Sequence, residues 1–170
     1  MIEMRVMGIA LDTRSGSPIV VLNDLENRRA LPIWIGSAEA SSIIRKIENI
    51  PSGRPMTHDL FLNFCEQAGY EITKIEINDV DEQTYFSTIF MYCGELDREL
   101  QIDARPSDAI AVAIRADVPI FVTENVLAAG VVSTDTQKDE EEAAEFKNFI
   151  KDIKPSDFEK LMKKNFESDQ

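Results

Sequence analysis

Between Leu31 and Ile47 the chain reads Leu31-Pro32-Ile33-Trp34-Ile35-Gly36-Ser37-Ala38-Glu39-Ala40-Ser41-Ser42-Ile43-Ile44-Arg45-Lys46-Ile47, and its hydrophobic period changes at Gly36. Leu31, Ile33 and Ile35 alternate, as on one face of a strand, whereas Ala40, Ile43, Ile44 and Ile47 recur at helical spacing. A strand that runs into a helix is therefore predicted. Ser37 is the expected N-cap, and Glu39 falls in the first turn, where the helix dipole favours an anion. Trp34 is out of phase with Ile33 and Ile35 and faces away from them. Burial in a two-sided sheet is the expectation, with a subunit contact or a base-stacking platform as alternatives.

Moving outward, Ile2, Met4 and Val6 alternate as a first strand. The turn-rich Thr13-Arg14-Ser15-Gly16-Ser17-Pro18 leads to a second over Ile19–Leu22. Pro51-Ser52-Gly53-Arg54-Pro55 closes the helix. A further helix opens with Thr57 as N-cap and Asp59 in its first turn; it is expected to bury Leu60, Phe61, Phe64 and Cys65 and to stop near Gly69. Strands follow over Ile72–Ile77, Tyr85–Tyr92 and Leu100–Ile102, then a helix over Pro106–Arg115 and a short strand over Pro119–Val122.

Sliding the chain by 69 places Val6 on Ile75, Val20 on Ile89, Leu31 on Leu100, Ile33 on Ile102, Glu39 on Asp108 and Lys46 on Arg115. This suggests an internal duplication of a β-β-β-α unit about a pseudo-twofold axis, chance coincidence of periods being the alternative. Strands joined mostly by hairpins, with helices collected apart, indicate an α+β fold with a mixed, mainly antiparallel sheet and packed helices. No GxGxxG or GxxxxGK[ST] follows a strand, which disfavours the familiar nucleotide folds.

The 170 residues carry 18 Lys plus Arg against 31 Asp plus Glu, a formal net charge of -13, with 44% hydrophobic residues. At this size a self-sufficient core is expected. Residues 1–134 read as the domain, with net charge -9 and mostly arginine among the bases; residues 135–170 read as an acidic, Lys-rich helical extension with net charge -4 and no arginine. In that extension Ala143, Phe146, Phe149 and Ile150 mark one amphipathic helix, and Phe158, Leu161 and Met162 mark a second. No apolar run approaches the length of a membrane span, and the start lacks the pattern of a signal peptide, so a cytoplasmic protein without membrane attachment is expected. Two cysteines and one histidine make neither a disulfide framework nor a zinc cluster. A homodimer or higher homo-oligomer is the expected assembly.

Polar density concentrates in two segments, Arg54-Pro55-Met56-Thr57-His58-Asp59 and Asp103-Ala104-Arg105-Pro106-Ser107-Asp108, each at the entrance to a helix. Unpaired N–H groups and the dipole there attract anions; ordinary capping is the simpler explanation for Glu39 and Asp59. His58 can carry a proton near neutral pH, bind metal, or act as a satisfied structural group. Asp103 and Asp108 can flank one loop opening and hold Mg²⁺ or Mn²⁺ through oxygen ligands while Arg105 neutralises a phosphate; structural ion pairs with Arg105 are the alternative.

Three motifs in order, Leu31-Pro32-Ile33-Trp34-Ile35-Gly36 with Glu39-Ala40, Arg54 to Leu60, and Asp103 to Ile110, resemble the bifunctional nuclease domain family over roughly residues 1 to 130. The resemblance implies an oligomeric α+β protein and hydrolysis of phosphodiester bonds in DNA or RNA. On the positions that match, Glu39, His58, Asp59 and Asp108 are candidate catalytic residues, Arg54, Arg105 and Ser107 candidate substrate contacts, and Asp59, Asp103 and Asp108 candidate ligands for Mg²⁺ or Mn²⁺. A non-catalytic oligomeric binding or regulatory module is the competing expectation. The -9 body opposes long-range attraction to nucleic acid unless a local arginine patch or a metal reverses the field.

Overall fold

The computed structural model describes residues 1–130 and 132–133; the expected helices of the extension lie outside the described residues. In chain order the elements are β1 (Ile2–Leu11), β2 (Pro18–Asp24), β3 (Arg29–Trp34), α1 (Ser37–Ile47), α2 (Thr57–Gln67), β4 (Glu71–Asp81) and β5 (Thr84–Cys93). They continue with β6 (Arg98–Ala104), α3 (Pro106–Ala116), β7 (Ile120–Val122), α4 (Glu124–Gly130) and β8 (Val132–Ser133). The strands form one sheet in the order β6-β5-β4-β7-β1-β2-β3-β8. Among the described residues only β4 and β7 pair in parallel, and the other pairings are antiparallel. The fold is α+β, as the hairpin-rich sequence implies.

The register carries the repeat. Val20 opposes Ile33 and Leu22 opposes Leu31 in the first meander; Ile89 opposes Ile102 and Met91 opposes Leu100 in the second. Both pairs coincide under the shift of 69. The first strand of each unit breaks the rule, since Val6 opposes Leu22 whereas Met91 opposes Ile72 and not Ile75. That strand is displaced by three residues because each hairpin carries register breaks of its own, one between Val6 and Gly8 and two in β4, and because a long loop joins β1 to β2 where a tight turn joins β4 to β5. β7 lies between the meanders, antiparallel to β1 and parallel to β4, so the two units run in opposite directions about it.

One core joins both units: Leu22, Leu31, Ile43, Ile75, Ile77 and Ile110 are fully buried within it, each contributing about 1.5–3 kcal/mol by area. The sheet curls strongly. Gly130, at the end of α4, has no room for a side chain, because a Cβ there would collide with the Tyr85 hydroxyl and come within 3.0 Å of Leu31 Cδ1. Tyr85 on β5 and Leu31 on β3 are separated in the sheet by four intervening strands, so only curvature brings both to one glycine.

Three expectations need correction. The helix caps are Gly36 and Met56, one residue before Ser37 and Thr57, and neither makes a side-chain cap. On α2 only Cys65 is buried; Phe61 and Leu62 are half-buried against the core, while Leu60 and Phe64 are exposed. α2 docks mainly on α3 and β4, and that docking leaves Leu60 and Phe64 largely exposed. Trp34 is 55% exposed. It ends β3, and β8 pairs with the opposite end of that strand, at Arg29 and Ala30, so among the described residues no strand flanks the tryptophan on that side.

Candidate functional site

α1, α2 and α3 each carry a carboxylate at the third helical position: Glu39, Asp59 and Asp108. The preceding residues Gly36, Met56 and Arg105 are extended, so each helix starts with unpaired N–H groups that favour an anion nearby. Asp59 uses this directly, accepting the Met56 backbone N–H at 2.8 Å. Glu39 folds back over Gly36, where any side chain would strike its carboxylate.

One network joins the three helix starts. Arg115, in the last turn of α3, has a side chain only 6% exposed; its Nε–H donates to Asp59 Oδ1 at 2.8 Å. Its remaining N–H groups donate to the carbonyl of Ala111 at 2.9 Å and to the carbonyl and hydroxyl of Ser42 at 3.0 and 2.9 Å. Ser42 Oγ lies 2.9 Å from His58 Nδ1, and His58 Nε2 lies 3.0 Å from Asp108 Oδ1. Arg105 completes the chain, its Nε–H donating to Asp108 Oδ2 and a terminal N–H to Glu39 Oε1, both at 2.8 Å.

The donors fix the proton positions. Burial pushes the Asp108 carboxyl up, but the Arg105 guanidinium and His58 outweigh it and hold the group below the usual carboxylate range. An ionised Asp108 only accepts, so His58 Nε2 is assigned as the donor to it; on the other side of the ring Nδ1 meets the Ser42 hydroxyl, which itself accepts from Arg115. For Asp59, burial is again the largest influence and again loses, here to the Met56 N–H and Arg115. The Asp108 carboxylate in turn raises Arg105 above its ordinary value.

The connection Ser42–His58–Asp108 has the order of a serine hydrolase triad, but Ser42 is 2% exposed and no substrate atom can reach it. It acts as a relay. The exposed end of the network is Arg105, which lines a groove of about 910 Å³ together with Trp34, Gly36, Tyr85 and Ser107. Ser107 Oγ has no hydrogen-bond partner among the described residues. The opposite end, at Asp59 and Arg115, opens onto a second groove of about 480 Å³ lined by Arg45, Lys46 and Arg54.

The structure thus brings Glu39, His58, Asp59, Arg105 and Asp108 into one network and seats Ser107 beside it. Arg54 lies on the second groove, and Asp103 is exposed on β6 opposite Thr88; neither joins the network. Both oxygens of Asp59 and both of Asp108 are engaged by protein donors. Among the described residues no three His, Cys, Asp or Glu side chains converge as a metal site. As arranged, guanidinium groups rather than a dication neutralise these acids, and the set does not fit a resident Mg²⁺ or Mn²⁺.

Sequence reasoning missed Ser42 and Arg115. Ser42 interrupts the apolar stripe Ala40-Ile43-Ile44, and Arg115 falls seven residues after Asp108 on the same helical face; polar residues in such positions need buried partners.

A family model described as the bifunctional nuclease domain matches residues 20–135. An uncharacterized protein of Mycobacterium tuberculosis is 35% identical over 164 residues, covering 92% of this chain and 97% of its own length. Bifunctional nuclease 2 of Oryza sativa subsp. japonica is 29% identical over 107 residues, 62% of this chain and 33% of the rice protein. Bifunctional nuclease 1 of Arabidopsis thaliana is 26% identical over 113 residues, 61% of this chain and 35% of the relative.

Proposed function

The chain belongs to the bifunctional nuclease domain family, and from that premise we propose that it hydrolyses phosphodiester bonds in DNA or RNA at the groove where α3 begins. The observation that carries the reading is the placement of Arg105 and Ser107 on the groove with the Asp108–His58 pair directly behind them. Arg105 neutralises a non-bridging phosphate oxygen, and the unpartnered Ser107 hydroxyl donates to the same group. Asp108, about one third exposed, takes the proton of the attacking water, and His58 holds the carboxylate in place through its Nε2–H. Water oxygen bonds to phosphorus, the P–O bond to the leaving nucleotide breaks, the leaving oxygen takes a proton from solvent water, and Asp108 releases its proton to solvent to restore the starting state. Asp59 is assigned to holding α2 on α3 through Arg115, and Arg54 to a second phosphate contact.

The test is cleavage of single-stranded DNA and RNA by the purified full chain, with and without Mn²⁺. Asp108→Asn removes cleavage while leaving the fold intact, and Asp59→Asn lowers stability more than turnover. An Asp108→Asn chain that cuts as fast as the parent overturns the assignment. One observation favours the second reading, a non-catalytic oligomeric module: the complete pairing of Asp59 and Asp108 makes the network a lock between three helices. Under that reading both variants lose stability and neither parent nor variant cleaves.

A further inference from the structure

The chain contains a single tryptophan, and it is more than half exposed on the proposed substrate groove. Trp34 is not loosely exposed. Its indole Nε1–H donates to Asp12 Oδ2 at 3.3 Å, and Asp12 is itself held by the backbone N–H of Arg14 at 2.9 Å and the Ser15 hydroxyl at 2.9 Å. The one polar atom of the ring is thereby used, and what remains open to solvent is carbon π-surface tethered at one edge. Next in the chain come Ile35 and Gly36, the latter under the Glu39 carboxylate that binds Arg105. Trp34 and Arg105 therefore line one groove, an aromatic plane and a phosphate-binding cation on the same cavity.

We propose that the face of Trp34 is a stacking platform for one nucleobase of the substrate strand, adjacent to the phosphate held by Arg105. The inference rests on the nuclease reading above and adds to it the residue that engages the base. Charge supports it. With a net charge of -13, the chain draws little affinity from phosphates, and Arg105 already serves two carboxylates. Stacking is uncharged, available to every base, and insensitive to the field of the protein. Glu82 on the facing β4–β5 turn also lines the groove, so affinity from the sugar-phosphate alone is opposed from that side.

Because Trp34 is the only tryptophan, its emission reports on this site alone. The experiment titrates the full chain with a short single-stranded oligoadenylate and with a matched oligomer of abasic residues, and measures cleavage in parallel. Quenching by the oligoadenylate and not by the abasic oligomer is expected. With a labelled oligonucleotide, Trp34→Leu weakens binding by roughly 5- to 100-fold and Trp34→Phe by only a few-fold. Equal quenching by both oligomers, or unchanged affinity in Trp34→Leu, overturns the proposal, as does emission that changes with protein concentration and not with oligonucleotide, which would place a second copy over the ring. Cleavage without quenching removes the platform and leaves the nuclease reading standing; base-dependent quenching without cleavage supports the platform and removes the nuclease.

Discussion

Arg115→Met is the sharpest test of the network as a source of stability. The guanidinium donates to Asp59, to the Ser42 carbonyl and hydroxyl and to the Ala111 carbonyl, and it is almost fully buried. Methionine fills much of the volume and supplies no donor. Removing one partner of a buried ion pair costs about 3–5 kcal/mol, mostly as the penalty on the groups left behind. Asp59 is 37% exposed and rehydrates, so its share is screened and the expected loss falls to about 2–3 kcal/mol. With a urea slope of about 2 kcal/mol/M, the midpoint drops by about 1–1.5 M. Arg115→Lys does not restore it, since one ammonium cannot reach Asp59, Ser42 and Ala111 together. Asp59→Asn alone costs about 1 kcal/mol, and the double variant is less destabilised than the sum of the two by about 1 kcal/mol or more. A midpoint shift below about 0.3 M for Arg115→Met, or strict additivity in the cycle, refutes the reasoning.

Gly130→Ala pushes a methyl into the Tyr85 hydroxyl and the fully buried Leu31, and thermal unfolding should register a loss of about 1–3 kcal/mol; an unchanged midpoint would mean the curled sheet gives way there freely. Asp59 and Asp108 both have folded pKa values below their unfolded ones, so the unfolded chain binds more protons as pH falls. Their contribution is complete above the unfolded value of about 3.9 and is lost as pH drops through the lower folded values. Denaturation between neutral and acid pH should show that loss, and Asp108→Asn should flatten it. Glu39→Gln releases one of the two anions held by Arg105; under the phosphate-clamp reading the KM for an oligonucleotide falls a few-fold, and an unchanged KM with lowered stability favours the lock.

Much of the fold follows from local pattern, because hydrophobic period and turn residues act over a few positions. The α3 span ends within one residue of the predicted Arg115, and the shift of 69 reproduces the β2–β3 register in β5–β6. What failed required knowledge of neighbours. Leu60 and Phe64 have the spacing of a buried stripe, yet α2 packs mainly on α3 and β4 and leaves both largely exposed. Trp34 is exposed at the end of β3 that β8 does not reach among the described residues, and alternation alone does not reveal strand length. The site was legible as two polar segments at helix entrances. The residue that ties them together, Arg115, reads locally as an ordinary cation at a helix C-terminus, and its partners lie 56 and 73 positions away.

The repeated third-position acid explains why one set of residues reads both as capping and as chemistry. A carboxylate there is favoured by the helix dipole whatever else it does, so the same local rule supplies Glu39, Asp59 and Asp108. What separates them is the guanidinium each meets. Asp59 meets Arg115, which is almost fully buried and cannot turn to a ligand without leaving Ser42 and the Ala111 carbonyl unpaired. Glu39 and Asp108 share Arg105, whose side chain is mostly exposed on the groove. A phosphate arriving there finds a cation already oriented by two carboxylates, and competes with groups that water can resolvate. The buried arm therefore sets where the helices begin, and the exposed arm is the one that can exchange a protein anion for a substrate anion. Stability and ligand chemistry should accordingly separate along the network, with Arg115 variants moving the first and Arg105 variants the second.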